Sequence, residues 1–200
     1  CTEEGIGFSG TDATGNDTTM GAQNVDTLVN LMIDCAKTDS GLLYETRDQL
    51  GIGYRPRLSL YNQDPKLTMS YATNDLLNPA TPIDDDQQTK NDVEVKRLNG
   101  SSARVIQATG TLSVLPPPDG VGLYDFADTF NVETDAQLAD QASWRLHLGT
   151  TDEPRYPEID IHLQRNTFAN SYDLTAAALT VGIGDRILIT DQPAHEGNDD

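Results

Sequence analysis

Positive charge is scarce in this sequence: 13 Lys and Arg stand against 32 Asp and Glu in 200 residues, a formal net charge of −19. Affinity for phosphates comes from clustered Lys and Arg that release counterions, so this balance argues against a nucleic-acid binder. It equally disfavours adsorption to an anionic membrane surface. Long apolar runs are missing too: the longest cover a few residues, where a helix crossing a bilayer takes about 20. The chain is therefore read as soluble, with no membrane insertion. Cysteine occurs twice, at Cys1 and Cys35, which gives neither a disulfide framework nor a zinc-ligand spacing. Cys35 falls at an apolar helical position, where a free cysteine behaves as a small buried hydrophobe. Cys1 in place of Met is read as a processed or excised end, with a lipidated cysteine as the alternative. Apolar residues still make up 36% of the chain, enough for a real core, so disorder throughout is excluded.

What is there divides by pattern. Residues 1–22 are dominated by Gly, Thr, Asp and Asn without a sustained period and are read as a flexible arm. From Val25 the residues Val25, Leu28, Val29, Met32 and Cys35/Ala36 recur at amphipathic-helix spacing, predicting a helix over about 25–37 capped by Asn24 and stopped at Ser40-Gly41. Strand-like segments follow at Leu42–Thr46 and Gly53–Tyr61, a hairpin whose second strand is expected at an edge, or bulged at Pro56, because Pro56 cannot donate to a ladder. Leu67–Tyr71 reads as a further short strand. The polar stretch 77–92, with Asp84, Asp85 and Asp86, is the expected connection between a helix-plus-hairpin subdomain over 23–76 and a β-rich subdomain over 93–190. In the latter, alternating residues flank Asn99-Gly100, a two-residue hairpin signal, and Leu115–Gly120 is a rigid proline-rich connection. Thr134-Asp135-Ala136-Gln137 matches a capping box opening a helix over about 135–147 that buries Leu138, Ala142 and Leu146. Residues 156–163 alternate as a half-buried strand. Residues 174–190 give a short helical or turn segment, a Gly182/Gly184 turn and a last strand, and 191–200 is a frayed tail. The sum is an α+β fold, β-dominant, of short antiparallel strands and hairpins with two amphipathic helices.

Few motifs carry chemistry. Gly5, Gly7 and Gly10 match a dinucleotide-binding glycine pattern, but the strand before it and the helix after it are lacking. Asp84, Asp85 and Asp86, or Asp12, Asn16 and Asp17, are weak candidates for a hard cation such as Ca²⁺, without the order of an EF-hand loop. His147, His162 and His195 are scattered, and no nucleophile–base motif appears, so no catalytic residue and no cofactor is assigned. Trp144 with Tyr44, Tyr54, Tyr61 and Tyr71 suggests a sugar-stacking platform, against the plainer reading as packing residues. Two glycosylation sequons, at Asn16 and Asn99, matter only in a eukaryotic secretory pathway.

Taken in order, the segments Gly41–Ala72 (beginning GLLYETRDQLGIGYRPRLSL), Pro82–Asp125, Thr134–Leu163 and Gly182–Thr190 (GIGDRILIT) resemble minor tail proteins of actinobacterial siphophages and prophages. The order Leu28–Ala36, Leu43–Arg55, Asn91–Val95, Asp135–Leu146, Arg155–Leu163, Val181–Ile189 is also similar to the broader tail-hub group of late-control and baseplate hub proteins. The chain departs from those relatives in being richer in Asp and Asn and poorer in Arg, and it is read as one portion of a longer hub. The resemblance implies a non-enzymatic structural protein at the virion tail tip, made in the bacterial cytoplasm. Its implied partners are other phage tail proteins and further copies of itself in a ring, with DNA passing without specific binding. An acidic lumen suits that role by repelling phosphate. Arg55, Arg57, Tyr61 and Arg104 are the candidate interface residues, the arginines pairing with carboxylates across subunits. The alternative is an extracellular or surface-anchored carbohydrate-binding module, Ca²⁺-dependent if the acidic clusters take part.

Overall fold

The computed structural model describes residues 5–10, 18–47, 49–61, 63–73, 75–77, 83, 87–151, 156–164, 168 and 170–192. In chain order these form β1 (Gly7–Gly10), α1 (Leu28–Asp39), β2 (Leu42–Glu45), β3 (Gly51–Arg55), β4 (Leu67–Ser70), β5 (Asp92–Arg97), β6 (Ser102–Ile106), β7 (Asp125–Phe130), α2 (Leu138–Gly149), α3 (Tyr172–Thr180) and β8 (Ile187–Thr190). The result is an α+β fold with substantial strand content in small mixed sheets. Two compact units divide it: Cys1–Leu58 with Asp85–Asp152, and Ser59–Asp84 with Glu153–Asp200. The division is thus interleaved, where composition suggested a sequential break at 77–92. The reason is that segments distant in sequence meet in each unit: Met20 bridges Val132 in the first, and Leu67, Met69 and Leu76 share a core with Phe168 and Ile189 in the second.

In the first unit, one sheet has the order β1-β3-β2, with β1 parallel to β3 (Gly7 opposite Gly51) and β2 antiparallel to it (Leu42 opposite Arg55). The hairpin is present, but β3 is the central strand, not an edge, and it ends before Pro56. Arg57–Leu60 is a 3-10 turn in place of the expected strand to Tyr61, because Pro56 removes the donor that would extend the ladder. Part of the supposed arm is structured as well. β1 pairs with β3, Met20 bridges Val132, and Gly21 N–H donates to Asn131 O at 2.8 Å.

The second sheet has the order β6-β5-β7, antiparallel on one side of β5 and parallel on the other. Val93 and Val95 of β5 point into a core with Phe130, Val132, Leu138, Ala142 and Leu146. The three helical positions foreseen for α2 are therefore the ones it buries. Its start differs from the capping-box expectation: Asp135–Gln137 is a 3-10 turn, the Thr134 side chain caps nothing, and the Gln137 amide donates to Thr19 Oγ1. The β5–β6 turn also differs. Arg97 N–H donates to Ser101 O at 3.0 Å, closing a three-residue turn in which Asn99 takes φ 58° and Gly100 does not share the positive φ. Buried Asn91 organises the proline-rich connection, donating to Leu112 O at 3.1 Å and Gly122 O at 2.6 Å and accepting from Tyr124 N–H at 2.8 Å. Helix α1 starts at Leu28, three residues later than periodicity suggests. Thr27 is the cap in place of Asn24, its Oγ1 accepting from Asn30 N–H at 3.3 Å.

The second unit is built on the parallel pair β4–β8, with Leu67 opposite Ile187. Leu67, Met69, Leu76, Phe168 and Ile189 form its core. Helix α3, capped by Ser171 Oγ, lays Leu174, Ala177 and Ala178 on that core. It stands beside the two amphipathic helices, where a short helical or turn segment was expected from 174, and it begins two residues earlier. Gly184 turns the chain at φ 82° into β8, as the Gly182/Gly184 signal suggested. Residues 156–163 form no ladder. A single bridge joins Ile161 to Leu76, and Ile159, Ile161 and Leu163 still pack inward. Among the described residues no helix is long and apolar enough to cross a membrane.

Where α2 ends, Gly149 lets Lys90 pass: a Cβ at 149 would stand 2.5 Å from Lys90 Cβ and 2.7 Å from Lys90 O. Helix propensity alone makes Gly→Ala favourable by about 1 kcal/mol. The contact with backbone reverses the sign, so Gly149→Ala should destabilise by about 1–3 kcal/mol, measured as a lowered urea midpoint. A raised midpoint would mean that Lys90 yields freely.

Candidate binding surface of the first unit

The sequence-predicted residues do not assemble into one site. Arg55 ends β3 and is half-buried. Arg57 turns inward, buried with its guanidinium 5.7 Å from the Trp144 ring centroid, so it is an interior residue and not a surface cation. Tyr61 is exposed and belongs to the second unit. Arg104 is committed within its own chain: Nε donates to Asp92 Oδ1 at 2.7 Å and Nη2 donates to Asp92 Oδ2. Asp84, Asp85 and Asp86, like Asp12, Asn16, Asp17 and His195, lie outside the described residues. Among the described residues no group of three or more His, Cys, Asp or Glu is placed to hold a metal ion. The aromatic residues are used in packing. Tyr54 OH donates to Asp39 Oδ2 at 2.8 Å, Tyr44 lies against Gly53, and Tyr71 packs on the second unit's core.

Several cations of this acidic chain are drawn inward instead. Arg145 of α2 is buried, with its guanidinium 3.8 Å from the Phe130 ring centroid. Its Nη1 donates to Gln141 O at 3.1 Å and to Gln141 Oε1, and its Nη2 donates to Lys37 O at 3.3 Å. Burial and the neighbouring Arg57 guanidinium push Arg145 down to about 10, so it stays charged at neutral pH. Asp39, also buried, accepts from Arg57 N–H at 2.9 Å.

Two features of α1 face outward. The first is an apolar stripe: Leu28, Val29 and Ile33 remain 50%, 55% and 51% exposed, and Val25 just before the helix is fully exposed. Periodicity assigned this face to a core, yet the first unit's apolar core contains no α1 side chain. The second is a cleft of about 430 Å³ on the flank of the helix. Gln23, Asn24, Asp26, Asn30, Asp34 and Asn131 form its polar wall, and Leu31, Leu98 and Phe130 its apolar part. Asn30 and Asp34 share a helix face, being four apart, and Asp26, just before the Thr27 cap, joins them through its bond with Asn30. That spacing was readable in the sequence. Gln23 and Asn131 were not, because their segments meet through long-range pairing, the Met20–Val132 bridge and the Gly21 N–H bond to Asn131 O among it.

The hydrogen bonds in the cleft are unequal. Gln23 Nε2 donates to Leu31 O and Asp34 Oδ2, both at 3.0 Å. Asn131 Nδ2 donates to Ala22 O at 3.2 Å and Asp34 Oδ2 at 3.4 Å. Asp26 Oδ1 accepts from Thr27 N–H at 2.6 Å and Asn30 Nδ2 at 2.8 Å. These bonds hold the Asp26 carboxyl below its ordinary range, Asn30 contributing most. Three side-chain amides thus spend donors on the protein, while Asp26 Oδ2 and Asp34 Oδ1 accept nothing from the described residues.

Comparison with protein-family models and with curated proteins finds no match to this chain.

The Asp92–Arg104 pair gives a pH prediction. Hydrogen bonding to Arg104 lowers the Asp92 carboxyl in the folded chain. The pair therefore adds stability above the unfolded value of about 4, and that stability is lost as pH falls through the lowered folded value. In Arg104→Met, urea midpoints between about pH 5 and pH 2.5 should fall less steeply than in the parent chain. An unchanged slope would remove the pair from the acid response.

Proposed function

We propose that this chain is a structural, non-enzymatic protein of a phage tail tip, a hub component that joins tail parts to one another and to host-recognition parts. The observation that carries the reading is the uncovered apolar stripe of α1. An amphipathic helix normally spends its apolar face on a core. Here Val25, Leu28, Val29 and Ile33 are left in water, and contiguous exposed apolar surface marks a protein-interaction site. Covering the exposed half of each helical side chain is worth roughly 1 kcal/mol, a sum that favours association over a free existence. The ordered resemblance to tail-hub segments supplies the kind of assembly: other tail proteins and further copies of the chain around the DNA passage. The net charge of −19 fits a passage through which a polyanion slides without sticking.

Immunogold electron microscopy with an antibody to this chain tests the assignment on particles and cell envelopes of the source organism. Gold should mark the distal end of phage-like tails. Gold on envelopes with none on particles would overturn the reading in favour of a surface-anchored binding module. Val29→Glu should change monomer stability by less than about 0.5 kcal/mol while sharply reducing incorporation into particles, read by quantitative immunoblot of purified tails. Undiminished incorporation would remove α1 from the interface.

A further inference from the structure

The cleft beside α1 has a definite chemical preference, which holds whatever assembly the chain joins. Gln23 and Asn131 could each have offered amide hydrogens to a ligand, and both turn them onto Leu31 O, Ala22 O and Asp34 Oδ2. Asn30 turns one of its two toward Asp26. The open positions on the two carboxylates are acceptors: Asp26 Oδ2 and Asp34 Oδ1. The nearby Lys37 of α1 does not neutralise them, being paired with Asp128 at 2.9 Å. A group that meets these two oxygens must therefore bring donors and, to be stabilised beside carboxylates, positive charge. Calcium would need six to eight oxygen ligands, and no three-residue metal cluster is present among the described residues. The size suits an extended side chain, since 430 Å³ far exceeds a single ion.

The apolar stripe identifies what carries that group. On α1 the pair Asn30 and Asp34 and the stripe Leu28, Val29, Ile33 are neighbouring faces, Ile33 adjoining Asn30 at helical spacing, with Asp26 and Val25 just before the helix. We propose that the cleft receives an arginine or lysine side chain from a basic amphipathic segment of a partner protein, held by the charge of Asp26 and Asp34 while the segment's apolar residues cover the stripe. A second copy of this chain is the weaker occupant, because each copy brings its own charge of −19. The carboxylate at Asp26 is already held ionised by Asn30 and Thr27, so the site is charged before the partner arrives.

The probe is a synthetic twelve-residue peptide with leucines at helical spacing and one central arginine, beside the same peptide with citrulline, a neutral shape mimic, at that position. Titrated into the full ¹⁵N-labelled chain, the arginine peptide should shift amide resonances along 22–34 and 129–131 and bind roughly tenfold more tightly than the citrulline peptide. Asp26→Asn and Asp34→Asn should each weaken the arginine peptide several-fold and leave the citrulline peptide unchanged, with resonances elsewhere confirming the fold. Asp26→Asn alone suffices should Asp34→Asn disturb the network with Gln23 and Asn131. Equal affinity for the two peptides, shifts confined to other surfaces, or no binding by either peptide would overturn the proposal.

Discussion

A guanidinium with almost no water around it fixes how the first unit closes. Arg145 projects from α2 onto the Phe130 ring, returns one hand to Gln141 and gives the other to the Lys37 carbonyl near the end of α1. Gln141 in turn donates to Thr18 Oγ1 at 2.9 Å. One buried cation thereby ties a helix, the end of β7, the end of another helix and the segment after β1. Burying a charge is costly unless every donor is met. The aromatic face and the carbonyls are what make the position tolerable, and they leave little freedom in how these elements meet.

The scarcity of Lys and Arg gives that arrangement its wider effect. Arg145 and Arg57 are folded inward against Phe130 and Trp144, and Arg104 and Arg97 are held by Asp92 and Asp135. With only 13 cations to set against 32 carboxylates, these internal uses leave most carboxylates without a basic side chain of their own. Next to the uncovered stripe of α1, this favours partners that are apolar on one side and basic on another.

Local patterns were legible in the sequence where local chemistry decides structure. Leu138, Ala142 and Leu146 face the core because a helix repeats every 3.6 residues, and Gly184 turns the chain because its φ suits few other residues. Pairing partners were not legible. The parallel contacts β1–β3, β4–β8 and β5–β7 carry no turn signature, since a parallel pair has no tight connection to announce it. The capping box at Thr134 failed for a related reason. Gln137 had a distant alternative in Thr19, and tertiary contact outweighed the local bond. For the cleft, neither wall stood out in the sequence: Asp26, Asn30 and Asp34 carry no motif beyond a four-residue spacing, and the wall opposite is brought there by tertiary pairing. Periodicity identified the apolar face of α1 without revealing that the core would form elsewhere.

The interleaving of the two units has a consequence for synthesis. Chains emerge at about 5–20 residues per second and fold as their parts become available. The first unit has its last segment once Asp152 is out. The second cannot pair β4 until β8 has been made, 120 residues after it by the register of Leu67 with Ile187. During that interval Leu67 and Met69 lack the strand that covers them in the finished chain, with β4 unpaired. Vectorial production thus leaves the edge of β4 open to premature association until β8 arrives.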